Sequence, residues 1–183
     1  MTSHPVVLDT VDVPARRGLD LLVLDHVRIQ AWDRILFVEC GDGWIAEEAW
    51  RRALRAYVCG LDTSLDQVER ARQLREVRGK LEFMPWDGHT LPVPDAEFNR
   101  VVAILAAAPP HHAADVLRDV RRVMRVGGEA YLLHPTTGDA ELRLTVAQAG
   151  WTDVCEVARS GDDVAVLLRA RCAPPSPSDQ KIV

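Results

Sequence analysis

No run of about 18 apolar residues occurs in the chain, so no segment is expected to cross a membrane as a helix. The first ten residues lack a basic stretch followed by an apolar core, and a secretory leader is not expected there. Positive charge is not in excess. The 22 lysines and arginines face 27 aspartates and glutamates, a formal net charge of -5, so nothing global points to a nucleic-acid partner. Cysteine is sparse and unpaired in pattern: Cys40, Cys59, Cys155 and Cys172 form no C-x-x-C pair and no Cys/His cluster with zinc spacing. A metal site is therefore not expected. A chain of 183 residues needs no disulfide framework, so the four are read as reduced thiols of a cytoplasmic protein.

What the chain does have is enough apolar residue, 48%, for one substantial core. Residues 1–14 read as an irregular arm, 15–172 as one domain, and the Pro- and Ser-rich residues 173–183 as a disordered tail. Within the domain, helix and strand patterns alternate. Helical spacing is predicted over 15–29, 45–55, 64–77, 112–124 and 140–149. Short apolar runs predict strands over 34–38, 56–61, 80–84, 100–105 and 129–134, with a closing hairpin over 151–158 and 163–170. The alternation implies a doubly wound, three-layer α/β fold: a mostly parallel sheet with helices on both faces and an antiparallel hairpin at its edge. No internal repeat is visible.

In such a sheet, ligands bind beyond the carboxyl ends of the strands. Val38-Glu39-Cys40-Gly41-Asp42-Gly43-Trp44 falls at the first such end, where glycines let backbone approach a ligand and a helix start offers free N–H groups. An ordinary strand-to-helix turn would look the same. Cys59-Gly60-Leu61-Asp62-Thr63-Ser64 falls at the second, and an acid at Asp62 can accept both hydroxyls of a ribose or merely cap a helix. Asp87-Gly88 follows the third strand, as an adenine contact or a simple turn. Arg122-Val123-Met124 leads to a Val126-Gly127-Gly128 turn. His134 ends the fifth strand at the same edge, a general-base candidate or a structural histidine. His111 and His112 open a helix and read as capping or surface residues, since adjacent positions do not share a helix face.

Together these segments resemble the class I S-adenosylmethionine-dependent methyltransferases, particularly the small-molecule branch. Cys40-Gly41-Asp42-Gly43 matches the back half of that family's glycine loop. Gly60-Leu61-Asp62-Thr63-Ser64, Leu91-Pro92-Val93-Pro94-Asp95 through Phe98, Arg122-Val123-Met124 with Gly127-Gly128, and Ala149-Gly150-Trp151 match its later motifs in order. The resemblance covers residues 15–170 and implies a seven-stranded sheet with S-adenosylmethionine over the first strand. It places Gly41 and Gly43 beside the methionine part, Asp62 on the ribose, Asp87 and Gly88 at the adenine, and Thr63 on the adenine face.

Three positions depart from the pattern. Phe37 replaces the family's first-strand acid, Glu39 its first glycine, and Asn99 the acid after Phe98. Glu39 either intrudes on the cofactor, or pairs with its ammonium group in place of the missing acid. Three functions follow from the sequence: a small-molecule methyltransferase, a non-catalytic relative acting as a partner or regulatory subunit, and, last, a nicotinamide-dinucleotide-binding protein. The last rests on Gly41-x-Gly43-x-x-Ala46 with Asp62 beyond it. Few residues are available to build a lid, so an open site is expected, or one completed in a homo- or hetero-oligomer.

Overall fold

The computed structural model describes residues 13–105, 110–137 and 139–174. Among these residues twelve elements follow one another along the chain. They are α1 (Val13–His26), β1 (Arg34–Val38), α2 (Trp44–Arg52), β2 (Tyr57–Asp62), α3 (Leu65–Arg75) and β3 (Leu81–Pro85). Then come β4 (Phe98–Ile104), α4 (Pro110–Val123), β5 (Met124–Pro135), α5 (Asp139–Gln148), β6 (Trp151–Arg159) and β7 (Ala165–Cys172). Strands and helices alternate except at β3–β4 and β6–β7. Most of residues 1–14 and 173–183, the expected arm and tail, lie outside the described residues, as do the side chains of His111 and His112. Helix α1 starts at Val13, inside the expected arm; a proline in a first helical turn loses no hydrogen bond.

The seven strands form one sheet in the order β3-β2-β1-β4-β5-β7-β6. Neighbours from β3 through β5 are parallel. The expected hairpin is present, but its last strand is not the edge. Strand β7 inserts between β5 and β6, antiparallel to both, because its buried Val166, Leu167 and Leu168 need cover on two faces. The outer β6 carries Glu156 and Arg159 and breaks register twice, features that discourage edge pairing.

Alternation along β1 divides the core. Leu36 and Val38 pack with Val116, Leu117 and Val120 of α4 and Leu142 and Val146 of α5. Ile35 and Phe37 pack with Leu19 and Val23 of α1, Ile45 and Ala49 of α2, and Val68 and Ala71 of α3. Phe37 is thus a core residue under three helices, fully buried, and not part of an open cleft. Cys40 and Cys59 are buried in the same layers, where burial pushes the Cys40 thiol well up and the Cys59 thiol to about 12, too high for either to be a nucleophile.

The segment expected as a Gly-Gly turn is instead the first part of β5. Met124 pairs with Phe98, and after a register shift Glu129 pairs with Arg100. The irregularity falls at Gly127, whose φ of 81° needs a glycine. No helix among the described residues is long and apolar enough to cross a membrane.

Candidate functional site

The chain crosses the sheet in opposite directions from β1, to β2 and β3 on one side and to β4 on the other, so the crevice of an open α/β sheet opens beyond the carboxyl end of β1. Glu39, Gly41, Gly43, Asp62, Thr63 and Gly88 gather there.

Asp62 is the anchor. It ends β2 only 6% exposed, and its carboxylate accepts from Gly41 N at 2.7 Å and from Ser64 N at 2.9 Å. The acid therefore ties the glycine loop after β1 to the start of α3. Ser64 then caps that helix by accepting from Gln67 N at 3.4 Å. Two backbone donors fix the carboxylate's orientation, as a ligand-binding acid requires.

The two loop glycines do different work. Gly41 (φ 59°) faces open space: a Cβ there would come only within 3.9 Å of an Arg16 nitrogen. At Gly43 (φ 78°) a Cβ would meet the Phe83 ring at 2.6 Å and Ala71 at 2.9 Å. Gly41 thus faces open space, and Gly43 is required by packing against β3 and α3.

Glu39 keeps a left-handed backbone, φ 62°, although it is not a glycine. Its carboxylate turns toward the ends of β2 and β3, accepting from Trp86 Nε1 at 2.8 Å and Thr63 Oγ1 at 3.2 Å. Its carbonyl oxygen accepts from Arg16 Nη2 at 2.9 Å. The two halves of the residue thus point to different ends of the crevice.

Helix α1 supplies a group that the motifs did not reveal. Asp20, 2% exposed, holds Arg16 Nε at 3.2 Å and Arg17 Nη1 at 3.4 Å. Burial pushes the Asp20 carboxyl up, and the two arginines offset only part of that. Arg16 reaches Glu39, while Arg17 donates to Asp42 at 2.8 Å and lies over the Trp44 ring. Arg75 of α3 binds the Asp42 carbonyl at 2.9 Å and pairs with Glu47. The signal was in the sequence as arginines three and four residues before an acid, one helix face. Nothing in the sequence showed that this face would meet the loop.

Asp87 is exposed, and its Oδ1 accepts from His89 N at 2.8 Å and Thr90 N at 2.7 Å. These backbone bonds hold its carboxyl below the usual range and close a turn at Gly88, beside Thr63. His134 is 4% exposed at the end of β5. Its Nδ1 lies 2.8 Å from Pro135 O and its Nε2 3.3 Å from Asp139 Oδ1. Nδ1 is hydrogen-bonded to that carbonyl, whereas the buried Nε2 makes no hydrogen bond; burial holds the imidazole below its ordinary value, partly opposed by the Pro135 carbonyl and the Asp139 charge. No group of three or more His, Cys, Asp or Glu that could hold a metal occurs among the described residues.

Comparison with known proteins bears on this crevice. The chain is 30% identical over 132 residues to malonyl-[acyl-carrier protein] O-methyltransferase of Erwinia pyrifoliae, covering 72% of this chain and 47% of that protein. It is 35% identical over 125 residues to 27-O-demethylrifamycin SV methyltransferase of Amycolatopsis mediterranei, covering 62% and 44%. The chain thus spans about half the length of these relatives. Among solved structures, the fold matches an S-adenosylmethionine-dependent methyltransferase from Aquifex aeolicus with TM-score 0.71 at 16% identity, covering 94% of this chain and all (100%) of that one. The methyltransferase SibL matches with TM-score 0.74 at 18% identity, over 88% of this chain and 57% of that one. A sequence model of the methyltransferase domain matches residues 35–128, from β1 through the glycines of β5, and the chain belongs to that family.

Proposed function

We propose that this chain binds S-adenosylmethionine beyond the carboxyl ends of β1 and β2 and transfers its methyl group to a small molecule. The observation that carries the proposal is Asp62, a buried acid oriented by Gly41 N and Ser64 N at the tip of β2. A carboxylate has about four acceptor sites, so one held by two backbone donors can also take a ribose diol. Gly41 offers an open backbone face to the methionine part, and Thr63 with Gly88 borders the adenine end. When bound, the cofactor supplies an electrophilic methyl group, so the chain has mainly to align an acceptor with it. The two relatives named above are, by their names, a malonyl-[acyl-carrier protein] O-methyltransferase and a 27-O-demethylrifamycin SV methyltransferase, which supports a small-molecule acceptor here. No side chain is assigned as a base: the Asp87 carboxylate is held by its own turn, and the buried His134 ring is bonded through Nδ1 to the Pro135 carbonyl.

The test is calorimetric titration with S-adenosylmethionine, S-adenosylhomocysteine and NAD. Binding of the first two and not of NAD is expected; heat with NAD alone overturns the proposal. The sheet order already weighs against a dinucleotide, because β7 runs antiparallel where a dinucleotide fold continues parallel strands. A second reading, a non-catalytic partner or regulatory subunit, draws on Glu39, whose carboxylate lies in the crevice. Binding without methyl transfer to any acceptor would favour it. The four free thiols support a reducing, cytoplasmic setting. Light scattering showing only monomer would count against completion of the site by a second subunit.

A further inference from the structure

Glu39 is strained where a glycine would not be, and strain of this kind persists only when surrounding contacts over-determine it. The contacts do so. Arg16, steadied by the buried Asp20, grips the Glu39 carbonyl, while Thr63 and Trp86 grip its carboxylate from positions 24 and 47 residues away in the chain. The side chain therefore spans from the end of β1 to the ends of β2 and β3. Its carboxylate is bonded to Thr63, the residue that directly follows Asp62 at the end of β2.

We propose that Glu39 is an intramolecular occupant of the nucleoside subsite, and that the cofactor's nucleoside must displace its carboxylate from Thr63 and Trp86 before the ribose reaches Asp62. The inference rests on the cofactor reading above. Two physical points favour displacement over a shared pocket. First, the Glu39 carboxylate satisfies the Trp86 N–H and Thr63 O–H within the protein, so a ligand that displaces it has to replace those hydrogen bonds. Second, a ribose offers two hydroxyl donors, which a single carboxylate such as Asp62 can accept together, so a second acid in the same crevice takes up volume without being needed. Glu39 is only partly buried, so its carboxylate can be rehydrated when released. The residue then sets cofactor affinity: the protein binds its cofactor more loosely than the remaining groups would allow, and a neutral or shorter side chain lifts that restraint.

The experiment uses the full chain and its Glu39→Gln, Glu39→Ala and Glu39→Gly variants, with folding checked by circular dichroism. Each is titrated calorimetrically with S-adenosylhomocysteine and with adenosine. The indole N–H resonance of Trp86, identified by its loss in Trp86→Phe, is followed by NMR. Glu39→Ala and Glu39→Gly are expected to bind S-adenosylhomocysteine at least tenfold tighter than the wild type, about 1.4 kcal/mol, with Glu39→Gln between. Saturating the wild type should move the Trp86 resonance toward its position in ligand-free Glu39→Ala. Binding that is unchanged or weaker in Glu39→Ala, or a Trp86 resonance that stays put on saturation, overturns the inference and leaves the cofactor reading standing. Failure of the wild type and every variant to bind either ligand overturns both.

Discussion

Gly41 and Gly43 are two residues apart and both left-handed, yet a methyl group distinguishes them. At Gly43 it strikes Phe83 and Ala71, and at Gly41 it meets nothing closer than 3.9 Å. Gly43→Ala should therefore cost about 1–3 kcal/mol from overpacking plus ~1–2 kcal/mol from the backbone, read as a fall in urea midpoint. Gly41→Ala should cost only the backbone part and act mainly on ligand affinity, read by calorimetry beside the melt. A larger loss of stability at Gly41 than at Gly43 would refute this division. Asp62 works in both ways at once. Asp62→Ala removes charge-assisted hydrogen bonds worth about 1.5–3 kcal/mol each to a ribose, so affinity for S-adenosylhomocysteine should fall tenfold or more while the sheet's circular dichroism persists. Unchanged affinity would mean that the ribose is held elsewhere.

At the scale of elements, the departure at Asn99 has a local explanation on the side of the sheet opposite the crevice. Asn99 opens β4, accepts from Arg34 N at 2.7 Å and donates its amide N–H to Asp33, which is 4% exposed. An acid at 99 would set two carboxylates together, with Arg100 Nε 4.0 Å from Asp33 and the Gln30 N–H at 2.7 Å to temper them. Asn99→Asp should destabilise by about 2–4 kcal/mol in urea, and Asp33→Asn in the same chain should recover most of it. No recovery would show that the cost lies elsewhere. The segment before β4 is held by another element: Arg122 of α4 donates to Leu91 O at 2.9 Å and Val93 O at 3.1 Å, and pairs with Asp95 and Asp119. Those pairs keep Leu91 and Val93 in the core, so this stretch is firm although it has no regular structure.

Over the whole molecule, charged groups clamp the helices to the loops, which couples stability to pH. Desolvation pushes the carboxyls of Asp42, Glu47 and Asp119 up, but hydrogen bonds and charge from Arg17, Arg75, Arg51 and Arg122 outweigh it and leave all three below their ordinary values. The unfolded chain then binds more protons than the folded one as pH falls through 4.5 and 3.8, so this stability is present above that range and lost below it. His134 acts in the same direction from a higher pH. Burial holds its imidazole below the ordinary value, so the unfolded chain takes up a proton more readily than the folded one as pH falls below 6.5. Asp20, raised by burial, works the other way and softens the acid loss. The urea midpoint should decline in two stages, the first beginning below pH 6.5. His134→Gln, which can still donate to the Pro135 carbonyl, should abolish the first stage and spare the second. A first stage that survives in that variant would assign it to another group.

The sequence by itself determined the alternation of strands and helices, because burial on both faces of a parallel sheet writes apolar runs that local pattern can show. It also set several chemistry-bearing residues at or just beyond strand ends. Gly41, Asp62, Thr63 and Gly88 are brought together as the motif order implies, because each ends a strand on the same side of the sheet. Only the tertiary structure decided which glycine is packed and which is open, since Phe83 comes from a strand forty residues on. It alone placed the Glu39 carboxylate on Thr63 and Trp86, and Arg16 on the Glu39 carbonyl. It also placed β7 inside the sheet instead of at its edge. Each of these depends on contacts between residues distant in the chain, and local periodicity carries no record of which distant partner a side chain will meet.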